Sequence, residues 1–371
     1  MRIALVSAAQ KSGCPPIGLV YLASHINKHT THRADIIDAN YQDIWRFNYH
    51  PYDLIGISSM SANYSKSTQL ARHIRNMHRP KPIVIGGVHI STCKESQALN
   101  TFDSMVIGEG EQSMLELLDD FSKGGIKLRY ESEPLKDLNE VTRPDWNLID
   151  SRYFNKQFNT TFAEWGIEGW LLTSRGCPYR CRFCSTTRFW EKLRFNTDEY
   201  VVNCIEDLRK KSVTHIQIWD DLFTIDRKRL VRLAPYLKST GISFNCQPRI
   251  NCINDALCQI LKDSGITLCI FGFESGNSRI LQYLKNDLSL SIQMSKSAIK
   301  LCKKYGLDVQ GSVIFGSPTE TIPEMLDTLK FMLWGLLNGI QRLWAFIATP
   351  FPATEFWKYV PDNFDYGQLS H

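Results

Sequence analysis

The segment Ser174-Arg-Gly-Cys177-Pro-Tyr-Arg-Cys181-Arg-Phe-Cys184-Ser places three cysteines on one short stretch, separated by three and by two residues. Thiols this close together can converge on one small inorganic group, and iron–sulfur clusters are held by cysteine thiolates. Zinc is the alternative, but a structural zinc site takes four closed ligands, and this stretch offers no fourth cysteine or histidine. Three thiolates would leave one iron open to another ligand. The spacing therefore predicts an iron–sulfur cluster held by Cys177, Cys181 and Cys184.

Strand-like and helix-like patterns alternate from this segment to the end of the chain. Six strands are predicted at 170–173, 215–219, 243–247, 268–272, 309–315 and 343–348. Five helices are predicted at 198–210, 227–238, 255–263, 292–305 and 320–337. Such alternation is typical of a parallel sheet covered by helices. Six repeats are fewer than the eight of a closed TIM barrel, so we expect a partial (β/α)6 barrel with its working residues at the carboxyl ends of the strands.

The part of the chain before the cysteines alternates in the same way. Five short strands are predicted at 2–8, 34–39, 54–60, 82–88 and 104–108, with helices at 17–27, 65–78 and 111–121. This pattern predicts a flavodoxin-like (Rossmann-like) doubly wound α/β domain, in which ligands bind beyond the carboxyl ends of the strands. Small and glycine-rich turns follow those ends, which would let a large flat ligand approach the backbone closely.

We divide the chain into four regions from these patterns. The first domain spans 1–125, a polar linker that packs across both domains spans 126–168, the barrel spans 169–360 and a short tail spans 361–371. No sizeable domain is predicted after the barrel. We therefore expect a small-molecule substrate rather than a macromolecule.

Composition narrows the class of protein further. A net charge of +5 is mild for 371 residues, and the basic clusters have the spacing of solvated helix faces, so we expect no nucleic-acid partner. No apolar run approaches the roughly 18 residues that span a bilayer, so no membrane partner is expected. Eleven cysteines, an odd number, in a chain without an export signal argue against a disulfide framework and for a cytoplasmic protein.

The cysteine spacing, with aromatic Phe183 before the last cysteine and a barrel strand before the loop, resembles the signature of the radical S-adenosylmethionine (SAM) superfamily. Segments after the later strands resemble the same superfamily: Asp220-Asp-Leu-Phe223, Gln247-Pro-Arg249, Gly272-Phe-Glu-Ser-Gly276, Gly316-Ser-Pro-Thr-Glu-Thr321 and Thr349-Pro-Phe-Pro-Ala-Thr354. The resemblance implies a 4Fe–4S cluster, SAM bound at its open iron, and reductive cleavage of SAM to a 5′-deoxyadenosyl radical. It also implies a low-potential electron donor such as flavodoxin or ferredoxin.

The same resemblance suggests which side chains contact SAM. The aspartates would meet its amino group or ribose, with a helix N-cap as the alternative role. Arg249 would reach its carboxylate, with a structural ion pair as the alternative. Glu274 would meet the ribose hydroxyls, and the loop at Gly316 would lie beneath the adenine. The residues expected at the SAM site are Asp220, Asp221, Arg249, Glu274, Ser275 and Gly316.

A flavodoxin-like domain directly before such a barrel resembles the cobalamin-binding subgroup of the superfamily. The Asp-x-His-x-x-Gly pattern that supplies an axial histidine in other cobalamin proteins is missing, and a vestigial or substrate-binding domain is the alternative. The residues expected at the cobalamin site are Ser58, Ser59, Gly86, Gly87, Val88, His89, Gly108, Glu109 and Gly110.

The subgroup implies a C-methyltransferase that methylates an unactivated carbon of a small, natural-product-type molecule. A radical rearrangement, cyclisation or oxidation without methyl transfer is the alternative. A methylthiotransferase should bring three further cysteines in the first domain, where only Cys14 and Cys93 occur. A non-catalytic iron–sulfur redox sensor would leave the distinctive residues at the barrel strand ends without a role.

Overall fold

The computed structural model describes residues 1–8, 13–77, 81–93, 96–155 and 166–361. The chain forms two compact units, the first mainly Met1–Thr161 and the second mainly Phe162–Thr187 and Glu191–Tyr359. Apart from its first residue, the predicted tail at 361–371 lies outside the described residues. Within the described ranges, no helix has the length and apolar character needed to cross a lipid bilayer.

The first unit is a parallel sheet wound with helices. Its strands are β1 (Arg2–Ser7), β2 (Arg33–Asp38), β3 (Leu54–Ser58), β4 (Ile83–Gly86), β5 (Ser104–Ile107) and β6 (Arg129–Glu131). Its helices are α1 (Ile17–His29), α2 (Tyr64–Met77), α3 (Val88–Cys93) and α4 (Gly110–Ser122). The strand order β2-β1-β3-β4-β5-β6 confirms the doubly wound prediction. The order reverses between β1 and β3, which is the position where such sheets bind ligands.

Residues predicted as a linker complete this unit. Strand β6 pairs in parallel with β5 and extends the sheet by one strand. Further along, the backbone N–H of Asp145 donates to the Ser24 hydroxyl at 2.7 Å, and Asn40 donates to the Tyr153 hydroxyl at 2.7 Å. The first unit therefore extends beyond the 125 residues predicted for it, because polar turns after β6 form hydrogen bonds with helix α1 and with the residues that follow strand β2.

The second unit is an open barrel. Its sheet strands are β7 (Glu168–Leu171), β10 (His215–Ile218), β11 (Ser243–Cys246), β12 (Ile266–Glu274), β13 (Asp308–Phe315) and β14 (Ile340–Ile347). Two short strands, β8 (Ser174–Arg175) and β9 (Arg194–Phe195), form an antiparallel ribbon beside them. The helices are α5 (Thr186–Phe189), α6 (Asp198–Arg209), α7 (Arg227–Ser239), α8 (Asp255–Asp263), α9 (Ser278–Lys285), α10 (Ile292–Lys304) and α11 (Ile322–Asn338).

The strand order β14-β13-β12-β11-β10-β7 runs stepwise through the sequence with parallel pairing throughout, so the predicted six-stranded partial barrel is confirmed. Helix α9 was not predicted. Its eight residues lie between a strand and the next helix, where the sequence offered no separate periodic run long enough to distinguish it. The barrel brings the carboxyl ends of all six strands to one edge, where side chains from distant segments meet.

Candidate active site

The three clustered cysteines line one cavity of about 320 Å³ at the carboxyl ends of the barrel strands. Cys177, Cys181 and Cys184 lie between β8 and α5, and each is partly buried. Phe183 lines the same cavity, as predicted for a side chain that keeps water away. The lining also includes polar residues from the neighbouring strand ends, so the cavity has the mixed lining of a cofactor site.

Asp220 and Asp221 hold the two ends of the cysteine loop. Asp220 is fully buried and accepts hydrogen bonds from the Thr173 N–H at 2.6 Å and the Ser174 hydroxyl at 2.7 Å. Asp221 accepts from the Gly176 N–H and the Thr186 hydroxyl, each at 3.2 Å. The carboxylates of Asp220 and Asp221 therefore hold the chain just before Cys177 and two residues after Cys184.

The predicted roles of these two aspartates separate in the structure. Asp221 lines the cavity, and burial raises its pKa to about 6. Asp220 does not line the cavity, and both of its carboxylate oxygens accept hydrogen bonds from the loop. Arg229 of α7 supports the same turn from the other side by donating to the Thr173 hydroxyl at 2.8 Å and its carbonyl at 3.0 Å.

Burial affects the protonation of two of these thiols. Burial raises the pKa of Cys177 to about 11 and also raises that of Cys184. They therefore stay protonated until a metal displaces their protons. Among the described residues, no three His, Cys, Asp or Glu side chains are gathered as the ligands of a single metal ion would be. The three thiols line the same cavity, and they are the donor type that iron–sulfur clusters take.

Arg249 lies beside the second cysteine. Its Nη1 donates to the Cys181 Sγ at 3.6 Å, its Nη2 donates to the Asp287 carboxylate at 3.0 Å, and its guanidinium stacks 3.8 Å from the centre of the Tyr179 ring. The ion pair that was the alternative role for Arg249 is therefore present. Within the described structure its Nε–H is buried without a hydrogen-bond partner, so one donor at the cavity wall is unused.

Glu274 forms a buried ion pair with Lys285 of α9, with 2.6 Å between Oε1 and Nζ. Both side chains line the cavity. Burial alone would lower the pKa of Lys285, but the Glu274 carboxylate and the Cys181 sulfur together outweigh burial and raise this pKa, so the lysine is charged. A Cβ on Gly272 would lie 2.1 Å from the Glu274 carboxylate, so only glycine leaves room for this pair.

The remaining residues predicted for SAM do not line the cavity. Ser275 is buried, and its hydroxyl lies 3.0 Å from that of Thr328 on α11. Gly316 has a φ of 76°, and its N–H donates to the Glu320 carboxylate at 2.7 Å. Both residues therefore shape loops around the strand ends.

Several lining residues were not singled out from the sequence. They are Tyr179, Thr186, Lys285 and Ser312, whereas the lining residues Gln247 and Pro248 belong to a motif noted in the sequence. Tyr179 and Thr186 flank cysteines and could have been found from that proximity. Lys285 carried no signal, because its place at the cavity depends on the unpredicted helix α9.

The first unit contains a separate apolar cavity of about 130 Å³. Of the nine residues predicted for cobalamin, five line it: Ser58, Gly86, Gly87, Gly108 and Gly110. Gly18 and Gly108 have open space where a Cβ would lie, and side chains there would fill the cavity. The glycine-rich lining therefore fits a cofactor that inserts between α1, α4 and the sheet.

The other four predicted residues, Ser59, Val88, His89 and Glu109, do not line this cavity. His89 is fully buried in α3, where its Nδ1 lies 3.1 Å from the Ser61 hydroxyl and its ring lies against Tyr64. Burial lowers the pKa of His89 to about 4, so it is a neutral core residue.

Comparisons with known proteins agree with this two-part organisation. The model of the Radical SAM superfamily matches residues 171–332, and that of the B12 binding domain matches residues 3–118. An uncharacterized methyltransferase of Pyrococcus horikoshii is 30% identical, over 94% of this chain and 79% of that protein. The bacteriochlorophyllide d C-8(2)-methyltransferase of Chlorobaculum tepidum is 28% identical, over 88% of this chain and 72% of its own length.

Among solved structures, the fold is similar to that of the radical S-adenosylmethionine methyltransferase TsrM from Kitasatospora setae, with cobalamin and a [4Fe-4S] cluster bound. The TM-score is 0.76 at 15% sequence identity, and the match covers 96% of this chain and 73% of that chain. At this identity the similarity concerns the fold.

Proposed function

This chain belongs to the cobalamin-binding branch of the radical SAM superfamily, and from that premise we propose that it methylates an unactivated carbon of a small, natural-product-type molecule. The observation that carries the proposal is the single cavity lined by Cys177, Cys181 and Cys184 at the barrel strand ends, in a chain that also has a glycine-lined cofactor domain. The relatives named as methyltransferases support methyl transfer as the reaction.

The chain's own residues fit the cofactors of that family. When bound, a 4Fe–4S cluster with one open iron supplies the electron that cleaves SAM, and cobalamin supplies a methyl carrier. Cys177, Cys181 and Cys184 would hold the cluster, while Asp221 orients their loop and Phe183 excludes water. We propose that the glycines beside α1 and α4 hold part of the corrinoid.

SAM would occupy this cavity beside the cysteines. Asp221 and Glu274 are the carboxylates there that can accept hydrogen bonds from an amino group or from ribose hydroxyls. Lys285 holds Glu274 in place through their ion pair. The apolar lining around them, including Ile270 and Phe271, would limit water at the reacting atoms.

We further propose a low-potential electron donor, such as flavodoxin or ferredoxin, because splitting a sulfonium ion by one electron requires a strong reductant. The cytoplasm is the proposed location, since a reducing compartment keeps cysteines as the thiols that a cluster needs.

The test is anaerobic reconstitution of the full chain with iron, sulfide and hydroxocobalamin, followed by reaction with SAM and dithionite. The wild type should hold about four irons, take up corrin and release 5′-deoxyadenosine. Cys177→Ala should lose the cluster and this product, whereas the control Cys204→Ala, which removes a buried thiol in α6, should retain both. A Cys177→Ala variant that cleaves SAM like the wild type would refute the proposal. Iron without corrin would refute only the cobalamin part.

A further inference from the structure

The cluster loop has an asymmetric electrostatic surrounding. Arg249 donates a hydrogen bond to the Cys181 sulfur, whereas the Asp221 carboxylate accepts from Gly176, next to Cys177, and from Thr186, two residues after Cys184. Positive charge therefore faces one thiolate position and a carboxylate faces the other two. An arrangement of this kind does more than hold a loop, because it changes the energy of any charge added to the site.

Arg249 is held firmly in this position. It is buried on a turn after β11, Asp287 accepts from its Nη2 at 3.0 Å, and the Tyr179 ring covers its guanidinium at 3.8 Å. Tyr179 belongs to the cysteine loop itself, between Cys177 and Cys181. The guanidinium is thus clamped against the loop with one N–H directed at the sulfur, and little side-chain entropy remains to be lost when it interacts with a charged group there.

We propose that Arg249 is a positioning residue that raises the reduction potential of the cluster by donating to the Cys181 thiolate, a role that rests on the proposed function above. The reaction concerned is the transfer of one electron from a low-potential donor to the cluster, which makes the cluster more negative by one charge. A hydrogen bond and a nearby cation stabilise the more negative state more strongly. Hydrogen bonds to cluster sulfurs are among the factors that set such potentials.

The expected size follows from hydrogen-bond energetics. Hydrogen bonds to charged groups are strong, and a tenfold effect, about 1.4 kcal/mol, is the part expected to distinguish the two charge states. Removing Arg249 should therefore lower the ratio of reduced to oxidised cluster about tenfold at a fixed solution potential. This change corresponds to a reduction potential that is about 59 mV lower for a one-electron transfer.

The experiment is a redox titration of the reconstituted full chain, read by the electron paramagnetic resonance signal of the reduced cluster and by iron content. Arg249→Gln should hold about four irons and show the tenfold lower ratio. Arg249→Lys, which keeps the charge but not the planar fork, should lie between it and the wild type. The control Arg227→Gln removes an exposed arginine that donates to a backbone carbonyl, and it should titrate like the wild type.

An unchanged ratio in an iron-loaded Arg249→Gln would overturn the inference. Should that variant fail to bind iron, Asp287→Asn decides, because it loosens Arg249 without removing it. A lower ratio of reduced to oxidised cluster in iron-loaded Asp287→Asn would support the proposed role of Arg249. An unchanged ratio, or loss of iron in this variant as well, would show that Arg249 and Asp287 only hold the loop. A wild type without a reducible cluster would instead refute the proposed function.

Discussion

Removing the Asp220 carboxylate should loosen the cysteine loop without touching the cavity wall. In the folded chain this carboxylate accepts from two backbone N–H groups and two hydroxyls of Thr173 and Ser174. The hydroxyls can turn to other acceptors, but the two N–H groups cannot. At about 1–3 kcal/mol for each buried donor left unpaired, Asp220→Ala should destabilise the loop by about 4 kcal/mol.

Hydrogen exchange of the metal-free chain, followed by mass spectrometry of peptides covering 171–187, measures this change directly. Protection should fall by roughly several hundred-fold, since each 1.4 kcal/mol is a factor of ten. Asp220→Asn keeps one acceptor oxygen and should show about half the free-energy change. Both variants should also bind less iron after reconstitution.

Asp226 provides the matched control. It is also a carboxylate near the same strand end, but it only caps α7, where it accepts from the Arg229 N–H at 3.0 Å. Asp226→Ala should cost about 1 kcal/mol and should affect the loop much less than Asp220→Ala does, because Asp226 reaches the loop indirectly, through Arg229. If the loop peptides are as well protected from exchange in Asp220→Ala as in Asp226→Ala, Asp220 does not hold the loop.

Two further predictions concern the fold. Gly87→Ala should destabilise the first unit and reduce corrin uptake, because its Cβ would lie 2.6 Å from the Ser59 carbonyl oxygen. The control for backbone strain is Gly124→Ala, since Gly124 has a similar positive φ but open space around its Cβ position. Equal unfolding midpoints for the two variants would contradict this reasoning. Burial lowers the pKa of His89 and His215 to about 4, so the unfolded chain binds more protons between pH 6.5 and 4. As the pH falls from 6.5 to 4, the free energy of unfolding should therefore decrease by about 3 kcal/mol per histidine. Urea unfolding of the metal-free chain at several pH values, with His→Gln variants, measures this change.

Local sequence patterns were sufficient for the architecture. Alternating apolar strands and amphipathic helices predicted both parallel sheets, and the short spacing of the cysteines predicted that their side chains would share one loop. The misses have a common cause. The missed elements are short, and their periodicity extends over too few residues to be separated from the surrounding turns. They are α3, β6, β8, α5, β9 and α9.

The individual contacts at the site depended on long-range packing. Arg249 and Cys181 are 68 residues apart in the chain, and Asp220 reaches Thr173 across 47 residues. Glycine turns and strand-end motifs indicated which loops matter, but not that Asp220 would face the loop while Asp221 faces the cavity. In the first unit, the same kind of motif placed His89 among cofactor contacts, whereas packing buries it in the core.

The amino-acid sequence by itself determined the two α/β units, their order and the three thiols of the candidate cluster site, because periodicity and close spacing act between neighbouring residues. The tertiary structure decided that Arg249 contacts Cys181, that Lys285 pairs with Glu274 and that Asp220 serves the loop. Each of these contacts requires a particular register between segments far apart in the chain, and that register is set by the packing of the whole barrel.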